Sequence, residues 1–379
     1  MPAYQELSMY CFSGTGNALA AGKWIAARAV AAGTGARLTR IDRLARAEVP
    51  APATGRALLG FLYATHGFCV PWLMLRLIVR LPRRAGRAVD AFLVNTRGGT
   101  KFGPVHLPGL SGVALLLPLV ILWLKGYRVV GTRPVDLPSN WMQLHPPFGE
   151  STAAAIAARQ WVAVERFADR LLAGGRAWHG WWTLPVDLAL LPIAAGYLPF
   201  GRFGLAKLQI ASAACDGCGV CARLCPAAAI RMDRDRPYWT FDCEACMRCL
   251  SVCPLQAVQS SHSYLAVLIL SFGPLAGLAH AAAAALGRLW APLGGRLGFW
   301  AVFYPLAMLW MWLSYDLLAR ALRVRWLNHL FTYTSLTRYC RRYLAPGIRT
   351  RDLRPPRDPD AGAAASTEDP RPRGQAPAA

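Results

Sequence analysis

Acidic residues are scarce in this chain: 20 Asp and Glu stand against 42 Lys and Arg in 379 residues, a formal charge of +22. Lysine is scarcer still, with four copies, so nearly all the positive charge is arginine, spread along the chain and concentrated near its C-terminus. A nucleic-acid binder would carry a reading motif beside its basic patch, and none accompanies these arginines. Nucleic acid is therefore not an expected partner, and anionic lipid or an acidic protein suits the charge better. Met1–Ser8 has neither a basic start nor an apolar core, so no secretory leader is read there and free thiols are expected in place of disulfides. No Ser-His-Asp set and no acid/base pair is legible.

Cysteine is where the sequence is most specific. Eight of eleven cysteines repeat one spacing, C-x2-C-x2-C-x3-C-P: Cys215, Cys218, Cys221, Cys225 with Pro226, then Cys243, Cys246, Cys249, Cys253 with Pro254. This is the run that wraps a [4Fe–4S] cluster in bacterial two-cluster ferredoxins, where the fourth sulfur serves the other cluster. The expected wiring is crossed: Cys215, Cys218, Cys221 and Cys253 on one cluster, Cys243, Cys246, Cys249 and Cys225 on its neighbour. Zinc ribbons also use paired C-x2-C but lack a third cysteine at the same interval. Cys11, Cys69 and Cys340 have no ligand spacing, and Cys11 reads as a small buried hydrophobe.

The N-terminal 175 residues alternate apolar runs with helical stretches. Strands are expected at Ser8–Phe12, Ala36–Ile41, Leu58–Ala64, Ala88–Val94 and Tyr127–Gly131. Helices are expected at Ala18–Ala32, Pro71–Leu81, near Leu110–Lys125 and at Ser151–Ala173. That alternation predicts an open, doubly wound parallel α/β sheet, whose ligand sits outside the carboxyl ends of the strands. Three segments lie there. Ser13, Gly14, Thr15, Gly16 and Asn17 form a small-residue turn between strand and helix, suited to a phosphate. Thr65, His66, Gly67 and Phe68 follow the third strand. Asn95, Thr96, Arg97, Gly98, Gly99 and Phe102 follow the fourth. The last two segments could flank a flat ring, with His66, Phe68 and Phe102 the candidates to touch it. No second Gly-rich strand–turn–helix offers a nicotinamide site.

Tyr10 to Asn17 resembles the phosphate loop of flavodoxins. With the later loops and the cysteine runs, residues 5–258 resemble flavodoxin–ferredoxin fusion electron-transfer proteins. Lys125 to Trp141 is similar to the last strand and exit loop of such fusions. The resemblance implies a flavodoxin-like domain over 1–175 holding FMN, with Ser13 to Asn17 around its phosphate, and a small α+β two-cluster domain over 207–260. One departure is Ala18, where flavodoxins usually carry a hydroxyl. A flavin-free scaffold that docks an electron-wiring or assembly subunit is the alternative.

Hydrophobic content of 55% with positive mean hydropathy points to membrane contact. Residues 176–206 read as an apolar connector with Trp178, Trp181 and Trp182 suited to a lipid interface, but too broken by proline to be a confident span. Residues 264–286 and 297–315 are each long and uncharged enough to cross a bilayer as a hairpin. Gly112–Leu124 is too short and is expected to be a buried helix. Arg320, Arg323, Arg325, Arg338, Arg341 and Arg342 follow the hairpin, against Arg288 and Arg296 in its turn. This bias places both termini and the redox domains on the cytoplasmic side of the membrane. Residues 346–379 are expected to be disordered. The expected activity is transfer of electrons between FMN, two [4Fe–4S] clusters and a redox protein or membrane-bound partner.

Overall fold

The structure, a computed structural model, describes residues 3–42, 57–84, 89–289, 295–354 and 363–364. The chain starts with β1 (Glu6–Phe12), α1 (Asn17–Ala31), β2 (Gly35–Arg40) and β3 (Ala57–Ala64). Then come α2 (Trp72–Arg80), β4 (Asp90–Phe102), a short β5 (Val105–Leu107), α3 (Leu116–Leu124), β6 (Arg128–Pro138), α4 (Glu150–Leu172) and β7 (Ala177–Trp178). Strands pair in parallel in the order β2-β1-β3-β4-β6-β7.

The period-2 alternation of a strand explains why this sheet needs helices on both faces. Leu7, Met9 and Cys11 of β1 pack with Leu58 and Leu62 of β3 under α1 and α4, whose Trp24, Val164 and Phe167 fill that layer. Tyr10 and Phe12 join Leu59, Phe61 and Tyr63 on the other face, against Met74 and Ile78 of α2 and Leu122 of α3.

Three expectations need correction. β4 does not stop at Val94: its polar half pairs with β6 as far as Gly99 opposite Pro138, and residues 100–102 pair with β5. Polarity there marks a strand with satisfied backbone at the sheet's end, not a loop. α3 is not fully buried; only Pro118 and Leu122 of its nine residues are, and Val120, Trp123 and Leu124 face outward. The expected disordered tail is not uniform. Tyr343, Ala345, Ile348 and Leu353 are buried, and Asp352 sits 3.4 Å from Lys23, so residues 343–354 strap across α1; within the expected tail the described residues are 346–354 and 363–364.

The connector folds as α5 (Leu184–Ala189), α6 (Leu191–Gly196), a π-turn at Tyr197–Gly201 and α7 (Arg202–Ala206). The helical stretches Trp181–Ala189 and Leu191–Ala206 meet at a 60° bend. Its anchor is Asp187, a buried carboxylate that accepts from the backbone N–H groups of Ser111 (3.1 Å) and Gly112 (2.7 Å) and from the Thr183 hydroxyl (2.7 Å). The cysteine-bearing module follows: β8 (Gln209–Ala211), α8 (Val220–Arg223), β9 (Ile230–Asp233), β10 (Arg236–Trp239), α9 (Arg248–Val252) and β11 (Val258–Ser260). β8 pairs with β11 and β9 with β10, all antiparallel.

Two helices, α10 (His262–Leu289) and α11 (Gly295–Ala321), are long and apolar enough to cross a membrane. They pack together through Trp310 Nε1 donating to Ser271 Oγ (2.7 Å) and the Tyr264–Ser314 hydroxyl pair (2.8 Å). α12 (Arg325–Tyr333) leads back to the strap. Because Asp187 satisfies two buried N–H groups at once, Asp187→Ala should cost about 1–3 kcal/mol. A lowered thermal unfolding midpoint in detergent is the expected reading, and an unchanged midpoint would show that the connector is not fastened there.

Candidate iron–sulfur and cofactor site

The cysteine repeat is matched by a repeat in backbone shape. Gly217 and Gly219 lie two and four residues after Cys215 with φ of 75° and 68°, and Ala245 and Met247 occupy the same offsets after Cys243 with φ of 49° and 63°. Ala228 and Gln256, each three residues after the last cysteine of a run, are left-handed too. A left-handed residue in each two-residue spacer turns the first three thiols of a run toward one centre. Non-glycine residues adopt it at a cost of roughly 1–2 kcal/mol each, so the second loop is held by its surroundings.

Thiols of the two runs are neighbours. Cys225, Cys243, Cys246 and Cys249 line one cavity beside Trp239 and Ile230. Cys221 lies within electrostatic reach of Cys215, Cys218 and Cys253. Burial pushes the Cys221 and Cys246 thiols up to about 12, so the thiolates needed to bind iron are stable there only with the metal's positive charge. Backbone N–H groups of Ala229, Ala245 and Ala257 donate to the sulfurs of Cys225, Cys243 and Cys253 at 3.3, 3.4 and 3.2 Å. Such bonds stabilise negative charge on sulfur and tune reduction potential. Cys218 is exposed, whereas Cys225, Cys243 and Cys249 are buried.

A second cavity, of about 380 Å³, opens at the carboxyl ends of β1, β3, β4 and β6. The strand order reverses between β1 and β3, so this is the switch point where open α/β sheets bind ligands. Ser13, Gly14, Thr15 and Asn17 line it, with Thr65, His66, Gly67, Phe68, Thr96, Arg97 and Gly98. Gly16, Asn95, Gly99 and Phe102 do not. Asn95 instead donates to Thr65 Oγ1 (2.8 Å) and Ser111 Oγ (3.1 Å), tying two loops together. Phe102 is exposed on the β4–β5 ribbon because β4 continues past the cavity.

Several wall residues escape a reading of the strand ends alone. Tyr197 comes from the connector, Trp141 from the segment after β6, and Ala245, Cys246 and Met247 from the second cysteine loop. Only the apolar, aromatic character of the connector hinted at Tyr197. Cys246 lines both cavities, so a thiol expected to ligate a cluster forms part of the wall of the larger one.

The turn between β1 and α1 is gripped by the cysteine module. Arg248 is fully buried; its guanidinium donates to the Gly14 carbonyl (2.9 Å), the Ser13 carbonyl, the Leu224 carbonyl (3.1 Å) and Asp42 (2.6 Å). Gly14 lies so close to the Cys246 backbone that a Cβ there would collide with it. Ser13 Oγ accepts from the Leu19 N–H (3.2 Å), Thr15 Oγ1 accepts from Asn140 (2.5 Å), and Asn17 binds the Pro138 carbonyl and the Tyr343 hydroxyl. His66 is half-buried, and desolvation pulls its pKa down to about 4. Its Nδ1 has no hydrogen-bond partner among the described residues and lies 4.0 Å from Glu244. Burial raises Glu244 to about 7, although it accepts from the N–H groups of Trp72 and Leu73 at the start of α2.

Arg248→Met would leave the buried Asp42 carboxylate with Arg40, 3.7 Å away, as its one ion-pair partner among the described residues, and should destabilise the fold by about 3 kcal/mol. Arg248→Lys should fall between, since an ammonium cannot span all four acceptors. Denaturant unfolding of the cluster-loaded protein checks the order. Equal stability of both variants and the parent would remove the clamp.

Residues 207–254, which hold all eight repeated cysteines, match the 4Fe-4S dicluster domain family. No curated protein matches the chain. The cysteine-bearing module is therefore a ferredoxin-type domain for two iron–sulfur clusters, and it implies electron transfer.

Proposed function

We propose that the protein is a membrane-anchored electron carrier that relays single electrons between FMN, held at the carboxyl ends of the sheet, and two [4Fe–4S] clusters, to or from a redox partner. The observation that carries this reading is the shared wall at Cys246: a ligand of the buried cluster lies against the larger cavity. Short separation in a dry site is what one-electron exchange between two centres requires. FMN would supply the ability to take electrons in pairs or singly, while each cluster passes one.

The residues present suit such a ring. The strand order β2-β1-β3-β4-β6 is that of flavodoxin-like sheets. The cavity volume falls in the range of small-molecule sites, and its lining mixes aromatic and polar groups. The unpartnered His66 Nδ1 offers a ligand a polar contact. Ser13 to Asn17, with the N-terminus of α1, would face the phosphate; Thr65 to Phe68 and Thr96 to Gly98 would flank the ring. The two long helices would anchor the chain in the cytoplasmic membrane, with the arginines after Asp316 holding both termini on the cytoplasmic face.

One observation favours a second reading, a flavin-free scaffold. Side chains of Ser13, Thr15 and Asn17 already have protein partners, and the Gly14 carbonyl is taken by Arg248.

Anaerobic protein in detergent should contain FMN and about eight irons. Gly98→Leu should displace the flavin and spare the iron, since a Cβ there meets nothing closer than Ser139 at 3.1 Å. Full iron without flavin would select the scaffold. Crossed wiring makes a further prediction for double variants. Cys218→Ala with Cys253→Ala should lose one cluster and keep about four irons, whereas Cys218→Ala with Cys225→Ala should lose both. The opposite pattern would mean that each run closes on its own cluster.

A further inference from the structure

Resting on the proposed membrane anchoring, we infer that the outer faces of α3 and the connector form a second lipid-binding surface, so that the α/β domain lies on the bilayer instead of hanging from the hairpin. On α3, Trp123 is 69% exposed, with Val120 and Leu124 beside it also outward. On the connector, Trp182 is 72% exposed, with Trp181, Val186, Leu188, Leu191 and Ile193 also exposed. Exposed apolar side chains in this number on neighbouring elements mark a contact surface.

The elements are contiguous. Asp187 binds the turn that opens α3, and a Cβ at Gly180 would approach both Pro134 and Leu115. Ala194 and Tyr197 pack in the same core layer as Leu122.

Lipid is the occupant because the surface runs on into the long helices. Phe200 at the π-turn packs on Tyr304 of α11, with ring centroids 4.6 Å apart, and against Trp300 and Phe303. The Tyr304 hydroxyl donates to the Pro199 carbonyl (3.0 Å). The connector, apolar and bent by 60° between Trp181–Ala189 and Leu191–Ala206, is thus packed on a helix long and apolar enough to span a membrane. Arg80 and Arg83 stand where α2 ends and Lys125 where α3 ends, the charge sign that anionic headgroups attract. Tryptophan at both α3 and the connector suits the headgroup level. Tyr197, on the inner side of the same connector, walls the larger cavity, so that cavity would sit at the membrane surface.

The test places a photoreactive benzophenone amino acid at one position at a time in the full chain, in nanodiscs of phosphatidylcholine and phosphatidylglycerol. Positions are Trp123, Trp182, Leu270 on α10 (76% exposed) and Val162 on α4, across the sheet (38% exposed). Lipid adducts at 123 and 182 should come within about threefold of those at 270 and exceed those at 162 by about tenfold. Adducts at 270 but at neither 123 nor 182 would overturn this inference and leave the anchored hairpin standing. No lipid adduct at 270 would overturn the membrane anchoring itself. Adducts to a second copy of the chain at 123 or 182 would make the surface a protein interface and overturn the lipid assignment.

Discussion

The guanidinium of Arg248 is the contact on which the junction of the α/β domain and the ferredoxin-type domain depends. A fully buried positive charge is tolerated only with its partners in place, and here they come from three parts of the chain. Asp42 stands two residues after β2, the Ser13 and Gly14 carbonyls form the turn after β1, and the Leu224 carbonyl ends the first cysteine run. Since Arg248 itself stands between Cys246 and Cys249, any movement of the second cluster loop would pull on the turn. The close approach of Gly14 to the Cys246 backbone has the same effect sterically. The larger cavity is thus a product of the junction, and neither module would build its walls alone.

The two long helices are fastened into this arrangement as well. Tyr315 of α11 donates to the Gln209 carbonyl in β8 (2.8 Å) and shares a pocket with Lys207. That lysine is buried among the rings of Tyr238, Phe241 and Tyr315, with Nζ on the Trp239 carbonyl at 2.6 Å; desolvation pulls its amine down to about 8. Beyond α12 the strap returns to the first turn, where the Ala345 N–H donates to the Thr15 carbonyl (2.9 Å). The path from sheet to clusters to long helices and back to the sheet closes a loop. Chain order therefore explains why a segment after the hairpin touches the residues at the start of α1.

Repetition and periodicity made parts of this legible in advance. Thiols three residues apart can face one centre, so the spacing alone marked eight cysteines as candidate ligands, although the fourth sulfur expected at each cluster comes from the other run. Apolar runs of eighteen or more residues are equally local, and the two long helices followed. The parallel sheet was legible because strands buried on both faces are continuous apolar runs alternating with helices. Strand ends were not. Asn95 to Phe102 looks like a loop by polarity, yet it stays extended because β6 and β5 supply its hydrogen-bond partners, and no local signal announces a partner.

From residues alone came the expectation of eight cluster-binding cysteines, the α/β alternation and the two apolar spans, because repeated spacing and apolar runs are visible within short stretches of chain. Tertiary structure decided which surfaces meet: Arg248 on the first turn, Cys246 in the wall of a cavity it shares with Ser13 and His66, Tyr197 against Gly67 in the same wall, and α3 turned outward. Each of these joins residues far apart in the chain, and such pairings are set by packing and by the need to neutralise buried charge, which no stretch of sequence encodes by itself.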